Sequence, residues 1–404
     1  MKPRKYHILL LLLLILALFL GWRFIRPMNI FIVSEAFELP VSTADAPVQF
    51  RTLRAEECAA CHAEHYADWR TSIHSQAWTD PYFQKDWEFD RYQQICKNCH
   101  IPLDRQQEHI VLGFRDKEKW NPILAPNPDF DPLLQQEGVT CTACHLREGS
   151  IVGVAGNSQA PHSVMKIDDP NQICVHCHVA EGDGWDTFFR IPPCGTVAEI
   201  QSTKQADRPN EKGLMQEDTD LGCVQCHMPV VQHPAASGRG TKYVRQHLWR
   251  GGHDPDMVKS GLKILFEESH EQPQDLHTFT LTLTNTGAAH YLPTGTPDRH
   301  LSVQLRLFDT NGDVIEEETH ILKRTIIWRP FIVDLWDTRL QRWQPRTYRF
   351  SIPAPMKGET QPAVVEAVVR YHLLDEKRRK RIGYENKEPI AYDVFRKQFS
   401  LADN

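Results

Sequence analysis

One short pattern, Cys-x-x-Cys-His, occurs five times between residues 58 and 227 and constrains this chain more than any other feature. The copies use ten of the eleven cysteines. The pattern is typical of covalent haem c attachment, in which two thiols bind the porphyrin edge and the histidine binds the iron. It predicts five haem c groups, held by Cys58, Cys61, His62, Cys96, Cys99, His100, Cys141, Cys144, His145, Cys174, Cys177, His178, Cys223, Cys226 and His227.

Zinc sites, redox dithiols and disulfides are the alternatives for a pair of closely spaced cysteines. Paired zinc motifs usually lie about 15 to 20 residues apart, whereas successive copies here begin 38, 45, 33 and 49 residues apart. With 20 histidines in 404 residues, the chance that histidine follows any one pair is roughly 5%, and five successive matches by chance are on the order of one in a million. Spacing and composition therefore favour haem attachment.

The N-terminal segment, residues 1–33, starts with basic residues and then runs without a charge for 17 residues, from Tyr6 to Trp22. Such a segment is either a cleaved signal peptide or an uncleaved membrane anchor. No small-x-small cleavage site closely follows the run, which favours the anchor. We therefore expect a single-pass protein of the bacterial inner membrane, a tether over residues 34–55, and a body in the periplasm, where thiols are joined to haem.

Residues 56–255, predicted to be the pentahaem domain, show little helical or strand periodicity and contain many prolines and glycines. We expect a mainly α-helical and irregular fold with short helices around the motifs, because haems supply apolar surface that side chains would otherwise provide. The eleventh cysteine, Cys194, is interpreted as a small buried side chain, with an unusual ligand or a partner-directed thiol as the alternatives.

A second axial ligand is needed for each low-spin haem, and fifteen histidines lie outside the motif positions. Histidines in loops with small or polar neighbours are the best candidates, although each has the alternative of being a surface or capping residue. The predicted distal iron ligands are His74, His162, His247, His253 and His290, with His109 and His233 in reserve.

The first motif and its continuation, from Cys58 through the Trp-x-x-Ser-x-His stretch that ends at His74, resemble the opening of the cytochrome c-554 and hydroxylamine oxidoreductase-like multihaem cytochromes. The Met228-Pro229 pair after the fifth motif and the Gly251–Asp254 segment are also similar to that family. The resemblance covers roughly residues 56–300 and implies that His74 is a distal ligand to a neighbouring haem. Hydroxylamine oxidoreductases carry eight haems and a crosslinked tyrosine, so the five motifs here favour an electron carrier over an enzyme.

Residues 256–404 lack cysteine and alternate between polar and apolar side chains, which is typical of half-buried strands. Strands are predicted over 277–285, 301–308, 348–352 and 363–371, with a turn at 309–313. We expect an antiparallel, immunoglobulin-like β-sandwich. The loop 285–299 is rich in glycine and proline, which would hold His290 rigidly against a haem or simply form a tight connection. The basic run 377–381 is interpreted as a solvated hairpin tip.

The net charge of −6 and the lack of a large basic cluster argue against a nucleic-acid partner. The sequence therefore predicts a membrane-anchored, periplasmic pentahaem cytochrome c that transfers electrons between a donor and an acceptor protein. Whether it is an enzyme is left open. The alternative is a multihaem oxidoreductase that acts on a small nitrogen or sulfur compound at one five-coordinate haem, for which no catalytic residue is assigned.

Overall fold

The computed structural model describes residues 3–25, 39–115, 121–156, 160–178, 187–188, 195–204, 222–269, 276–327, 332–353 and 362–401. The fold is mixed α/β: short helices and small sheets form the half with the cysteine motifs, and two larger sheets form most of the other half. A further three-stranded sheet contains strands from both halves. Cys194, the predicted small buried side chain, lies outside the described residues.

The helices are short apart from the first. In chain order they are α1 Pro3–Ile25, α2 Ala55–Ala59, α3 Ala63–Arg70, α4 Pro81–Phe89, α5 Gln94–His100, α6 Pro132–Gln135, α7 Cys141–His145, α8 Asn171–His178, α9 Thr196–Lys204, α10 Cys223–His227, α11 Pro255–Ser260 and α12 Glu376–Ile382. One 3₁₀ turn spans Asp104–Gln106.

The strands of the motif-bearing half are β1 His109–Phe114, β2 Pro122–Pro126, β3 Leu146–Arg147, β4 Ser150–Gly153, β5 Val164–Lys166, β6 Thr187–Phe188, β7 Val230–Pro234 and β8 Thr241–Arg245. Those of the other half are β9 Leu262–Ser269, β10 Leu276–Asn285, β11 His300–Asp309, β12 Val314–Leu322, β13 Arg324–Ile327, β14 Ile332–Asp337, β15 Arg346–Pro353, β16 Pro362–His372 and β17 Ala391–Ser400.

The predicted membrane anchor is wrong. Helix α1 contains the charge-free run from Tyr6 to Trp22, which at about 1.5 Å per residue measures roughly 25 Å, less than the ~30 Å hydrocarbon core of a bilayer. No helix in the described part of the chain has the length and apolar character needed to cross a membrane. The transmembrane helix within residues 1–33, the single-pass inner-membrane location and the membrane contact through this helix are therefore corrected.

The predicted fold class is also wrong for the motif-bearing half, which is not simply helical and irregular. Hairpins β1–β2 and β7–β8 and the three-stranded sheet β3–β4–β5 lie between its helices. These strands have six residues or fewer, so period-two alternation is too brief to stand out in the sequence.

Each cysteine motif lies on or beside a short helix. Helices α5 and α8 end on their motif histidines, and α7 and α10 consist of the motif alone. In the first motif α2 ends just after Cys58, and amides of Cys61 and His62 both donate to the Cys58 carbonyl. Because residues three apart share a helix face, the two thiols of each motif project to the same side.

Two antiparallel sheets face each other in the second half, with strand orders β15–β10–β9 and β12–β11–β16–β17. Along β10, Phe279, Leu281 and Leu283 are fully buried, whereas the threonines between them lie on the other face. They pack against the buried leucine and valine side chains of β11 in one core. Period-two alternation thus produces a two-layer structure.

The four predicted strands are confirmed, with ends within two residues, as β10, β11, β15 and β16. The prediction for the basic run 377–381 is wrong, because it forms helix α12. Asp375 accepts hydrogen bonds from the Lys377 and Arg378 amides at the N-terminus of this helix. Gly383, with φ of 68°, ends it, as a glycine in the left-handed region commonly does.

Candidate haem-binding site

A single large cavity runs through the motif-bearing half and reaches the β-sheet half, with a volume of about 3470 Å³. A pocket for one small molecule usually measures about 300–1,000 Å³, so this cavity has room for several large cofactors. All ten motif cysteines and all five motif histidines line it. The residues predicted to hold haem therefore share one connected space.

Among the described residues, a backbone carbonyl accepts a hydrogen bond from Nδ1 of four motif histidines and so orients them. The acceptors are Ala235 for His62 (2.6 Å), Ala77 for His100 (2.6 Å), Val152 for His145 (2.8 Å) and Arg250 for His227 (2.6 Å). Since a carbonyl only accepts, Nδ1 carries the proton and Nε2 keeps its lone pair. This is the arrangement that orients metal-binding histidines in general.

Four motif histidines also have a second histidine ring at nearly constant distance. The pairs, with the distance between ring centres, are His62 with His162 (6.4 Å), His178 with His74 (6.3 Å), His145 with His247 (6.1 Å) and His227 with His290 (6.3 Å). A metal–imidazole bond is about 2.0 Å and the ring centre lies roughly 1.1 Å beyond the nitrogen, so two imidazoles on one metal have centres ~6 Å apart. Each pair has the spacing of two axial ligands.

His62 has a second neighbour, because the ring of His65 lies 6.1 Å away. These two histidines are three residues apart and therefore project from the same side of the chain at the start of α3. Two axial ligands must approach a porphyrin from opposite faces, which His62 and His65 cannot do. His162, which comes from a distant segment, is the histidine whose position suits the second face.

Burial keeps three of the second histidines, His74, His247 and His290, neutral. It lowers the pKa of His74 to about 3, with the neighbouring His178 and His227 acting in the same direction. The pKa of His247 is lowered to about 3 by burial and by His145, and that of His290 to about 4 mainly by burial. A neutral imidazole has a nitrogen lone pair available for a metal.

His290 comes from the loop between β10 and β11, and helix α9 holds this loop in place. The Thr203 hydroxyl donates to the Ala289 carbonyl (2.9 Å), and the Tyr291 amide donates to the Glu199 carboxylate (3.1 Å). Glu199 also pairs with the buried Arg339 at 2.6 Å. The β-sheet half thus places His290 beside the histidine of the fifth motif, and its role as an iron ligand stays a prediction.

The second motif differs from the other four. Among the described residues, the ring that contacts His100 is that of Phe83. The two rings are stacked, with centres 3.5 Å apart and planes 10° apart. His253, a predicted distal ligand, lines the cavity, and burial together with Arg299 lowers its pKa to about 4. No ring pairing of His253 with a motif histidine is found in the described part of the chain, so its role as a ligand stays a prediction.

The motifs are also close to one another, because thiols from different motifs make contact. The pairs are Cys58 with Cys141, Cys99 with Cys177, and Cys174 with Cys223. These contacts connect the first motif to the third, the second to the fourth, and the fourth to the fifth. The attachment points are therefore packed side by side rather than spread along the molecule.

Three further histidines remain to be placed: the two reserve candidates for distal ligands, and one histidine that the sequence analysis did not name. His109 is exposed on β1, away from the cavity. His233 lies on β7 beside His65, with ring centres 4.8 Å apart. Sequence reasoning missed His65, although its position three residues after a motif histidine placed it near the same centre.

Paired thiols, oriented imidazoles and one large shared cavity define a class of protein, the c-type cytochromes with several haems. The donor set fits haem c, because each motif offers two thiols and a histidine to the same space. In the described part of the chain, four of the five motif histidines have a second histidine ring 6.1–6.4 Å away.

Comparisons with known proteins agree with this class. The family described as "Cytochrome c554 and c-prime" matches residues 57–120 and 170–246. The High-molecular-weight cytochrome c of Nitratidesulfovibrio vulgaris is 22% identical over 305 residues, covering 68% of this chain and 51% of that protein. The chain thus spans about half the length of this curated relative.

Among solved structures, a penta-heme cytochrome c552 from Thermochromatium tepidum superposes with a TM-score of 0.58 at 19% identity, covering 86% of this chain and 98% of that one. The motifs and the comparisons thus agree that the chain is similar to the multihaem c-type cytochromes. It binds haem c covalently. The resemblance stated from the sequence is confirmed.

Proposed function

We propose that this cytochrome carries five haem c groups, resides in the periplasm and passes electrons between a donor and an acceptor protein. The periplasm is proposed because thiols are joined to haem on that side of the bacterial membrane. Residues 56–255 would form the haem domain and residues 256–404 the β domain. Haem c supplies reversible one-electron exchange at its iron when bound.

The observation that carries this proposal is the set of four histidine pairs with ring centres 6.1–6.4 Å apart. We assign His162, His74, His247 and His290 as the second ligands opposite His62, His178, His145 and His227. An iron with imidazole on both faces has no position for a substrate, which suits an electron carrier. His100 would bind the remaining iron from one face.

The chain's own residues prepare this site in three ways. Backbone carbonyls hold the motif imidazoles so that Nε2 is free for the metal. Burial lowers the pKa of His74, His247 and His290 and keeps them unprotonated at neutral pH. Thiol contacts between motifs support close packing of neighbouring haems.

A second candidate function is favoured by one observation. His100 has Phe83 stacked on its ring, and none of the described histidines pairs with it at the distance of an opposing ligand. An oxidoreductase that acts on a small nitrogen or sulfur compound needs an iron with one open position. If this chain has such an activity, the second motif is where it would occur.

The test is low-temperature electron paramagnetic resonance of the oxidised, haem-loaded protein, with haem counted by the pyridine haemochrome assay. Five haems per chain are expected, at least four of them low-spin. In His290→Ala one low-spin signal should be replaced by a high-spin signal at unchanged haem content. The matched control is His320→Ala, which removes a histidine on β12 that pairs with Glu318.

A low-spin spectrum of His290→Ala that equals that of the parent protein would contradict the ligand assignment. A high-spin signal in the parent protein that shifts with nitrite, hydroxylamine or cyanide would favour the oxidoreductase. Fewer than five haems per chain would contradict the predicted count.

A further inference from the structure

Three side chains with no part in the haem motifs meet between helix α3 and the β7–β8 hairpin. They are His65, Asp68 and His233, and each presents one ligand atom within 4.8 Å of the other two. Two imidazoles and a carboxylate form a donor set that first-row transition metals bind. All three side chains are partly buried.

Local structure explains why the three residues meet. His65 and Asp68 are three residues apart on α3 and share one face of the helix. The turn after β7 packs on the first motif, because the Ser237 amide donates to the Cys61 carbonyl at 2.6 Å. This contact brings His233, near the end of β7, over the face of α3.

The imidazoles have unused nitrogens. Nδ1 of His65 and Nε2 of His233 are buried, and neither has a hydrogen-bond partner among the described residues. Nδ1 of His233 donates to the Pro234 carbonyl at 2.9 Å, so its proton is on that nitrogen and Nε2 carries the lone pair. Buried polar atoms without a partner are rare and costly, and a bound cation would satisfy both of them.

The carboxylate is already oriented. Oδ2 of Asp68 accepts from the His247 amide at 3.0 Å, and Oδ1 accepts from the Gln246 side chain at 3.3 Å. These bonds fix the carboxylate beside the two imidazoles while each oxygen retains a further lone pair. Outer hydrogen bonds of this kind commonly hold metal-binding carboxylates.

We propose that His65, Asp68 and His233 bind one divalent transition-metal ion of the zinc type, separate from the haem irons. The ion would join α3 to the β7–β8 hairpin, segments about 170 residues apart in the chain, and so stabilise the folded arrangement around the first motif. It would lie beside His247, whose ring centre is 4.6 Å from that of His65.

The experiment uses the untagged, haem-loaded full chain, stripped with a chelator and dialysed. Zn²⁺ is titrated by calorimetry, and retained zinc is counted by atomic emission after desalting. The parent protein should retain one zinc per chain and show a higher thermal midpoint with zinc. His233→Ala should retain none, and its midpoint should not respond. Asp68→Asn, which keeps an oxygen to accept from the His247 amide, should bind zinc at least about tenfold more weakly.

His320→Ala is the matched control and should retain zinc like the parent protein. Equal zinc retention by the parent protein and His233→Ala would overturn the proposal, as would a parent protein that retains none. Haem content and low-spin signals are measured on the same samples. Because the haem signals depend on other residues, unchanged haem signals in Asp68→Asn together with weakened zinc binding would separate this site from the haem assignments.

Discussion

The two halves of this cytochrome build their interiors from different material. In the β-sheet half, nineteen described side chains form one buried hydrophobic cluster that includes Phe266, Phe279 and Phe350. The motif-bearing half has a buried cluster of four described side chains, around Leu53 and Leu134, beside a cavity of about 3470 Å³. One half is packed with its own side chains, and the other is shaped to enclose cofactors.

The two halves also differ in how their backbone polar groups are hydrogen-bonded, because only the β-sheet half is built of long regular strands. Strand ladders satisfy the backbone of the β-sheet half. The irregular backbone of the other half instead uses buried amide side chains: Gln106 donates to the Leu134 and Gly138 carbonyls, and Gln107 donates to the Ile101 carbonyl. Buried backbone groups need partners wherever no regular element supplies them.

The largest expected effect follows from removing the cofactors. If all ten motif cysteines are changed to serine, haem is not attached and the motif-bearing half should remain unfolded, because its side-chain core is small. The β-sheet half should fold. Limited proteolysis with mass spectrometry should then show rapid cleavage within residues 39–255 and a surviving fragment that contains residues 276–401.

The control for this prediction is the haem-loaded parent protein under the same digestion, in which both halves should resist cleavage. Equal protection of both halves in the serine variant would show that the motif-bearing half has a sufficient core of its own. Equal loss in both halves would show that the β-sheet half depends on its neighbour.

A smaller effect is expected from a cavity in the side-chain core. Phe279→Ala removes a fully buried ring from β10 and should lower the free energy of unfolding of the β-sheet half by about 3–5 kcal/mol. Thr280 is the next residue along the strand and is partly exposed. Thr280→Ala should lower the same free energy of unfolding by less than about 0.5 kcal/mol. Urea unfolding followed by fluorescence gives both values. The Soret band of the haems should change slightly when the β-sheet half unfolds and withdraws His290, and strongly when the motif-bearing half unfolds.

The smallest effects should come from pH, with opposite signs in the two halves. In the β-sheet half, burial acts to raise the pKa of Glu366, but hydrogen bonds from Arg396, Gln398 and Arg306 outweigh it and leave the pKa lowered. A lowered carboxyl pKa contributes stability above the unfolded pKa of about 4.3, and this is lost as the pH falls through the folded pKa. Glu366→Gln should reduce the loss of stability below about pH 4.3.

In the motif-bearing half, burial raises the pKa of Glu137 in spite of hydrogen bonds from the Ala55 amide and the Thr140 hydroxyl. The folded state then binds its proton at higher pH than the unfolded state, so this group adds stability as the pH falls towards about 4.3. Glu137→Gln should remove that gain. Urea unfolding between about pH 6 and 3.5 measures the free energy of unfolding of both variants. If this free energy depends on pH equally in both variants, the contrast between the halves is refuted.

Some features could be predicted because they depend on neighbouring residues in the chain. The five attachment motifs are local chemistry, and the strands of the β-sheet half follow from alternation over eight to eleven residues. The short strands of the motif-bearing half did not have enough residues for alternation to be visible. The run at α1 has the composition of a membrane span but not the length, and the prediction made from it was wrong.

The sequence by itself predicts five haem attachment motifs and the residues that form them, because two thiols and a histidine at fixed spacing are a local pattern. It also supplied the candidate second ligands, including His74 and His290. Only the tertiary structure decided which histidines face each other, since the paired residues lie about 60 to 105 positions apart. Spacing in the chain carries no information on such contacts, whereas folding brings the rings to one distance. The same holds for His65 and His233, which come together only because the β7–β8 hairpin packs on the first motif.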